Sequence, residues 1–374
     1  MSEVDDVTTS DAPGRGPKVT RAGLLASAGL GALSLAALGC GTDSKAQTTT
    51  GPATGNGLGP KRKALWAIDQ VAAWQIPIDV GFHDAAALLG WEYKKTATGS
   101  AASTAKTTVD SMQRAVLTKP DVIFADWWYK PQAAAFADIT RQGIFTMAIE
   151  SDAYPKEREK LGLAYVGVDN HLSGLTLATR MAEDLVKKGK RDGVFVSGIP
   201  YPGAINLQIQ DKAIREGFSQ YNAANGTSFS VESFEDKADS DVAAASGLWR
   251  AKITQLGDKF VGGTSGSDNF ASIITEVMKT TNRKPGDVVL GAFRAAEATL
   301  RGIRDGWIAA SSDQSYYPAG FVSTIYAWMA IECNVAPLDY QTGGDLIDKS
   351  NLALINKREA RITAMAKKYK IKAA

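Results

Sequence analysis

The sequence predicts an α/β fold of two similar lobes, each built on a parallel sheet. Two observations lead there. From Ala64 onward short apolar runs alternate with longer helix-length segments, and the alternation begins again after Asn170. Lys119-Pro120, Asn225-Gly226 and Lys284-Pro285-Gly286 each stand just before a strand-like run, marking helix ends as expected of βαβ units. At 374 residues and 44% hydrophobic, the chain is long enough for two domains with sizeable cores.

The elements follow in order. In the first series the candidate strands are Ala64-Asp69, Trp91-Thr96, Asp121-Asp126, Ile144-Ile149 and Leu163-Val168, with helical segments near 76 to 90, 102 to 118 and 130 to 142. The second series starts with a helix near 172 to 188. It continues with strands at Gly193-Ser197, Ser228-Phe234, Phe260-Thr264 and Val288-Ala292. Ser311 to Pro318 is polar and helix-breaking and is expected to be a link, followed by a long helix containing Trp328. The chain closes with a Lys/Arg-rich amphipathic helix between Pro337 and Ala374.

Residues 1 to 39 read as an export segment rather than as part of the fold. Arg15, Lys18 and Arg21 precede an apolar run from Ala22 to Gly39 that ends at Cys40. Ala37-Leu38-Gly39-Cys40 resembles a lipobox, with Ala where Leu is usual, so Cys40 is the expected lipidation site. The competing reading is an uncleaved membrane anchor, for which a run this short and rich in Gly and Ala is poorly suited. Thr20 to Leu25 resembles a twin-arginine signal without its first Arg and does not fix the export route. Residues 40 to 62, rich in Thr, Gly and Pro, have the composition of a flexible tether.

Without residues 1 to 39, which hold three basic and four acidic side chains, the 42 Lys+Arg and 40 Asp+Glu become 39 and 36. So small an imbalance carries no nucleic-acid footprint. Cys333 is then without a disulfide partner and is expected to be a buried thiol.

In parallel α/β sheets ligands contact the carboxyl ends of strands. The residues there are Gln70 and Trp74 after the first strand and Asp126, Trp127, Trp128 and Tyr129 after the third. Glu150, Ser151 and Asp152 follow the fourth. Their polar groups suit hydroxyls and their aromatic faces suit a sugar ring, although a Trp more often serves packing. Trp66, alternating within a strand, is expected in the core, and Trp249, Trp307 and Trp328 on helix-packing faces. Asp169 is placed to cap the helix after it, Asp268 similarly, while Ser267 is expected to point to a ligand.

Little supports catalysis. His83 and His171 have neither a metal-site nor a triad spacing and are expected on helix surfaces. Glu150 and Asp152 would face opposite sides of a strand, leaving one of them for a ligand. No phosphate-cradling loop follows a strand, and the Gly-rich stretch Val261 to Ser267 lacks the Lys of such loops. No cofactor and no metal are expected.

From Lys63 to the C-terminus the chain resembles the periplasmic sugar-binding proteins of ABC importers, ribose-binding type. The most specific pieces are Ala148-Ile149-Glu150-Ser151-Asp152-Ala153 and Tyr165-Val166-Gly167-Val168-Asp169-Asn170-His171-Leu172-Ser173-Gly174. Arg215 to Phe218 and Asp313-Gln314 followed by Gly320 add to them. The resemblance implies a type I periplasmic-binding fold: two Rossmann-like lobes with parallel sheets, joined by a three-strand hinge near Asn170, Gln314 and Tyr340. The implied lobes are 63-170 plus 314-340 and 171-313 plus 341-374. It also implies that Trp74 takes the aromatic place after the first strand and Glu150 the place of a hydroxyl-binding Asp. Gln314 takes the hinge Gln, and Lys212 the place of a ligand-binding Arg, with Asn206 and Gln210 nearby. Gly291-Ala292-Phe293-Arg294 departs from the family's G-F-D, so Arg294 replaces an expected Asp. Ser151 stands where an Arg often follows. Both changes point away from a ribose-like pyranose and towards an acyclic polyol, deoxysugar or cyclitol, with sugar acids as a minor class.

The expected protein is a monomeric, lipid-anchored, extracytoplasmic solute-binding protein that captures a small neutral sugar or polyol for an ABC permease. It is not expected to be an enzyme. The alternatives are a ligand-presenting sensor for a membrane receptor or kinase and, more remotely, a secreted sugar-active enzyme. The export signal stands where a cytoplasmic repressor would carry its DNA-binding helices.

Overall fold

Runs rich in β-branched and aromatic residues become strands, and the segments between them become the helices that cover both sheet faces. The structure is a computed structural model and describes residues 58–97, 104–201 and 203–371. Cys40 and the export segment lie outside these residues, as does most of the tether. Among the described residues no helix is long and apolar enough to cross a membrane.

The first half runs β1 (Lys63–Ala67), α1 (Ile76–Leu89), β2 (Glu92–Lys95), α2 (Ala105–Leu117), β3 (Val122–Trp127), α3 (Gln132–Arg141), β4 (Phe145–Asp152), α4 (Pro155–Lys160) and β5 (Tyr165–Val168). The second runs α5 (Asn170–Lys187), β6 (Asp192–Ile199), α6 (Ile205–Asn225), β7 (Ser228–Glu235), α7 (Val242–Leu256), β8 (Phe260–Ser265), α8 (Phe270–Thr280), β9 (Val289–Phe293), α9 (Glu297–Asp305) and β10 (Ala310–Asp313). The chain then crosses back through α10 (Tyr317–Cys333) and β11 (Tyr340–Thr342), and ends with β12 (Asp345–Ile347) and α11 (Leu352–Tyr369).

The sheets have matching orders, β11-β5-β4-β3-β1-β2 and β12-β10-β9-β8-β6-β7. The pairs are parallel apart from β10 with β12. In each sheet the order reverses beside the first strand, between β1 and β3 and between β6 and β8, which opens a crevice at the carboxyl ends. Ser311 to Asp313, the start of the stretch expected to be an irregular link, belongs instead to strand β10: its backbone pairs with β9 and β12, which a polar sequence does not forbid.

Each sheet is packed on both faces. In the first lobe Trp66, Phe124, Ile149 and Val166 meet Phe82 of α1 and Ala319 of α10. On the opposite face Ile123, Trp127, Ala148 and Tyr165 meet Met112 of α2 and Phe136 of α3. In the second lobe Val196 and Leu290 pack with Trp249 and Phe270, and Phe195 and Val289 with Met181 and Phe218. Helices α1 and α10 approach at Gly81 and Gly320, where an added Cβ would run into the other helix's backbone. Trp66 is a core residue as expected and Trp249 packs from α7 into the second lobe's core, but Cys333, the last residue of α10, is exposed rather than buried.

Three crossings join the lobes and are bonded to one another. The Asp169 N–H donates to the Thr342 carbonyl at 2.8 Å and the Thr342 hydroxyl to the Gln314 carbonyl at 2.5 Å. Ser312 links to Ser173 at 2.7 Å through their hydroxyls and donates to the Gly343 carbonyl at 3.2 Å. The third crossing therefore falls at Gly343, just after the position near Tyr340 that the resemblance implied, since Tyr340–Thr342 still pairs with β5. Asp169 caps α5 as expected, accepting from the Leu172 N–H at 2.8 Å.

Candidate functional site

The site grows from a break in a strand pair. Asp126 of β3 is in register with Ile149 of β4, but the next residue, Trp127, is opposite Asp152. Glu150 and Ser151 are the surplus, a bulge that takes Glu150 out of register with β3, with a left-handed φ of 61°, while it still pairs with Gly167 of β5. The Tyr165 hydroxyl holds the bulge by donating to the Glu150 carbonyl at 2.6 Å. The Glu150 carboxylate accepts from the Trp128 indole N–H at 3.0 Å. Gln132 fixes the loop carrying Trp128: its Oε1 accepts from the N–H groups of Trp128 and Tyr129, both at 2.9 Å, and its Nε2 donates to the Asp126 carbonyl at 2.6 Å.

Rings cover this acid. Trp74, in the turn between β1 and α1, stands edge-on to Trp128 at 6.0 Å and tilted against Tyr316 at 5.8 Å. Buried groups with unmet hydrogen-bonding capacity accompany them: both polar atoms of the Gln75 amide, next to Trp74 in the chain, and both oxygens of the Asp126 carboxylate, near Glu150. The Trp66 indole N–H beside Asp126 favours its ionised form without making a well-formed hydrogen bond. Burial raises the Asp126 carboxyl well above the ordinary carboxylate range, and the neighbouring Glu150 charge pushes it further. Burial also raises Glu150, to about 7, against the easing effect of Trp128, Arg294 and Tyr316.

The second lobe supplies the opposite charge at the matching position. Arg294 follows β9, which holds the place in its sheet that β4 holds in the first, and it too has a left-handed backbone, φ 69°. Its side chain is only 16% exposed. Its guanidinium donates to Gln314 Oε1 at 2.9 Å, to Asp268 at 2.9 Å and to the Gly266 carbonyl at 3.0 Å, and lies over the Tyr316 ring. Burial opposes its charge, but Asp268, Tyr316 and Asp239 outweigh burial and raise its pKa. Gln314 Oε1 also accepts from the Tyr316 hydroxyl at 2.6 Å. A cavity of about 490 Å³ adjoins this cluster, lined in part by Trp74, Pro77, Val80, Arg294, Gln314 and Tyr316.

Of the residues named from sequence, the structure gathers Trp74, Asp126, Glu150, Arg294 and Gln314. Gln70 is half-buried at the end of β1. Gln210 is buried beside the first hinge crossing, donating to Asn170 Oδ1 at 2.7 Å with its own Oε1 unpartnered. Ser267 is buried, but its hydroxyl is taken by Asp239. Four residues do not join the cluster. Trp127 points to the opposite sheet face and stacks on Phe136 at 4.5 Å, because alternation along β3 turns it away from the side that Asp126 faces. Asp152 accepts from Arg158 at 2.6 Å, which also binds Asp339, in a lobe-stabilising clamp. Lys212 is exposed on α6, and Asn206, half-buried in that helix's first turn, makes no contact with the Glu150 group. Asp268 serves Arg294 and not the start of α8 as a cap.

Sequence reasoning missed Gln75 and Tyr316. Gln75 offered no signal, and Tyr316 lay in a stretch taken for a link. Of the histidines, His171 is on an exposed helix face beside Glu216, but His83 is half-buried between Tyr93 and Tyr369. Among the described residues no group of three His, Cys, Asp or Glu side chains is placed to hold a metal ion.

The profile of the family described as periplasmic binding protein domain matches residues 66–332. A xylose/arabinose-binding protein, XylF, of Sulfolobus acidocaldarius is 24% identical over 287 residues, covering 74% of this chain and 68% of that protein. Among solved structures, a solute-binding protein of Burkholderia graminis in complex with D-arabinose has a TM-score of 0.67 at 21% identity, covering 78% of this chain and 97% of that one. The glucose-galactose binding protein GanP of Geobacillus stearothermophilus has a TM-score of 0.66 at 18% identity, covering 79% and 99%.

Glu150 gains protons on folding, since its folded value of about 7 lies above the ordinary glutamate value of 4.5. The stability this confers is present below the unfolded value and is lost as pH rises through about 7. Urea midpoints measured between pH 5 and 8 should therefore fall with rising pH, and Glu150→Gln should make that fall shallower. Equal slopes in the two proteins would contradict the burial assigned to Glu150.

Proposed function

The chain belongs to the periplasmic binding protein domain family, and on that premise we propose that it binds a small neutral sugar or polyol between its lobes for uptake by an ABC permease. One observation carries the reading. Asp126, Gln75 and Gln210 hold buried polar atoms with unmet hydrogen bonds, and a cavity lined by Trp74 and Tyr316 from one lobe and Arg294 from the other adjoins the cluster. Buried polar groups without partners are costly, and a ligand dense in hydroxyls would satisfy them while its C–H face rests on Trp74 or Tyr316. The relatives named for xylose, arabinose, glucose and galactose support this class.

The activity is binding, not chemistry. Glu150 and Asp126 act as hydroxyl acceptors, Gln314 and Arg294 as the groups through which closure of the second lobe reaches the ligand. Charges of both signs stand at the site, Glu150 from one lobe and Arg294 from the other, which suits a ligand without net charge. Outside the cytoplasm, a diacylated Cys40 would tether the folded lobes to the membrane through residues 41 to 62.

A thermal-shift screen against pentoses, hexoses, polyols, cyclitols, sugar acids and amino acids tests the ligand class. A ligand at one hundred times its dissociation constant stabilises by about 2.7 kcal/mol. Glu150→Ala and Trp74→Ala should each weaken the best ligand about tenfold or more, a loss of about 1.4 kcal/mol. Unchanged calorimetric affinity in either variant removes that residue from the site. For the anchor, Cys40→Ser should move the protein from the membrane fraction to the soluble one, and retention in the membrane would refute lipidation there.

A further inference from the structure

Helix α11 lies beyond the stretch matched by the family profile, which ends at residue 332, yet it is built into both lobes. Near its start Ile355 joins the second lobe's core with Ile303, Ile308 and Ile347. Two and three turns later Ile362 and Ala366 are buried against Val80 of α1, with Ile76, Tyr317 and Met365 packed around them. At its far end the Tyr369 hydroxyl donates to Asp84 at 2.6 Å. The same carboxylate accepts from Tyr317 at 3.0 Å, and the Tyr369 ring stacks on His83 at 4.6 Å.

Between these anchorages the helix grips the hinge. The Arg358 guanidinium donates to both oxygens of Asp313, at 2.6 and 3.2 Å. Asp313 is the last residue of β10, and the next residue is Gln314, which accepts from both Arg294 and Tyr316. Arg358, Arg361 and Met365 also line the cavity that holds Trp74, Arg294 and Gln314. A rigid helix anchored on both sides of a hinge restricts rotation about it: one lobe cannot swing from the other without parting α11 from α1 or from its own lobe.

We propose that α11 is a working part of the ligand site, a clasp joining the lobes beside the hinge, in which Arg358 acts through Asp313 as a positioning residue for Gln314. The clasp holds the lobes near the closed arrangement and sets how fast a bound ligand leaves. The ligand part of this proposal rests on the sugar-binding reading. The mechanical part does not.

The test uses the full chain carrying Cys40→Ser, with one spin label on the exposed Cys333 of the first lobe and another on Arg250→Cys, at an exposed position of α7 in the second. Pulsed dipolar spectroscopy without sugar should give a narrow interlobe distance distribution that Arg358→Gln and Ile362→Ala each broaden towards longer distances. Arg358→Lys should restore part of the narrow component. Should Ile362→Ala fail to fold, Arg358→Gln, which removes no packed aliphatic side chain, decides alone. For any of D-xylose, L-arabinose, D-galactose or myo-inositol that binds the unsubstituted protein, Arg358→Gln should weaken binding about tenfold, as expected for losing one charge-assisted contact, mainly through faster dissociation. Identical distance distributions in all variants would overturn the clasp. If none of the four compounds binds, the choice of ligand class fails while the distances still decide the mechanical claim.

Discussion

A largely buried guanidinium must be compensated, and the ends of both sheets are arranged around that requirement at Arg294. Its partners come from three places: Asp268 and the Gly266 carbonyl from the loop after β8, Gln314 from the hinge, and the Tyr316 ring from the entry to α10. Taking one partner from such a buried charge costs about 3–5 kcal/mol, so these elements keep fixed positions relative to one another. The first lobe holds a counterpart, since Glu150 and Asp126 are acids raised by burial and eased by cations nearby, Arg294 for the one and Lys95 for the other.

Glu150 and Arg294 occupy matching ends of β4 and β9, and both have left-handed backbones that a non-glycine residue adopts at a cost of about 1–3 kcal/mol. Their surroundings over-determine them. Tyr165 and Trp128 hold the first, while the Ser311 hydroxyl donating to the Arg294 carbonyl at 2.7 Å and the Arg294 N–H donating to Ser312 at 2.8 Å hold the second. The two strained positions thus set an acidic and a basic side chain at corresponding strand ends of the two sheets.

The strands buried on both faces were legible because their sequences are nearly continuous apolar runs, as in Val122 to Trp127 and Val289 to Phe293. Ala310–Asp313 was not, because its Ser and Asp side chains serve the hinge while its backbone completes the sheet. The three-residue strands Tyr340–Thr342 and Asp345–Ile347 are too short to show a period. In the site, Trp74, Glu150 and Gln314 were reachable through family motifs and strand ends. Trp127 was misplaced because it is the last residue of its strand and faces away from Asp126, while Trp128 falls in the loop beyond, and sequence does not mark where the strand ends. Lys212 was misplaced because counting along a helix from a distant motif fixes a position without fixing its face. Gln75 and the grip of Arg358 on Asp313 depend on tertiary contacts that no local pattern records.

On the proposed reading a ligand sits between Glu150 and Arg294 and is met by both lobes. A co-crystal structure with the tightest-binding sugar or polyol tests it most directly. Ligand hydroxyls should then lie within hydrogen-bonding distance of Glu150 or Asp126 on one side and of Arg294 or Gln314 on the other, with a ring face or carbon chain against Trp74 or Tyr316. A ligand seated elsewhere, or one touching a single lobe, would contradict it.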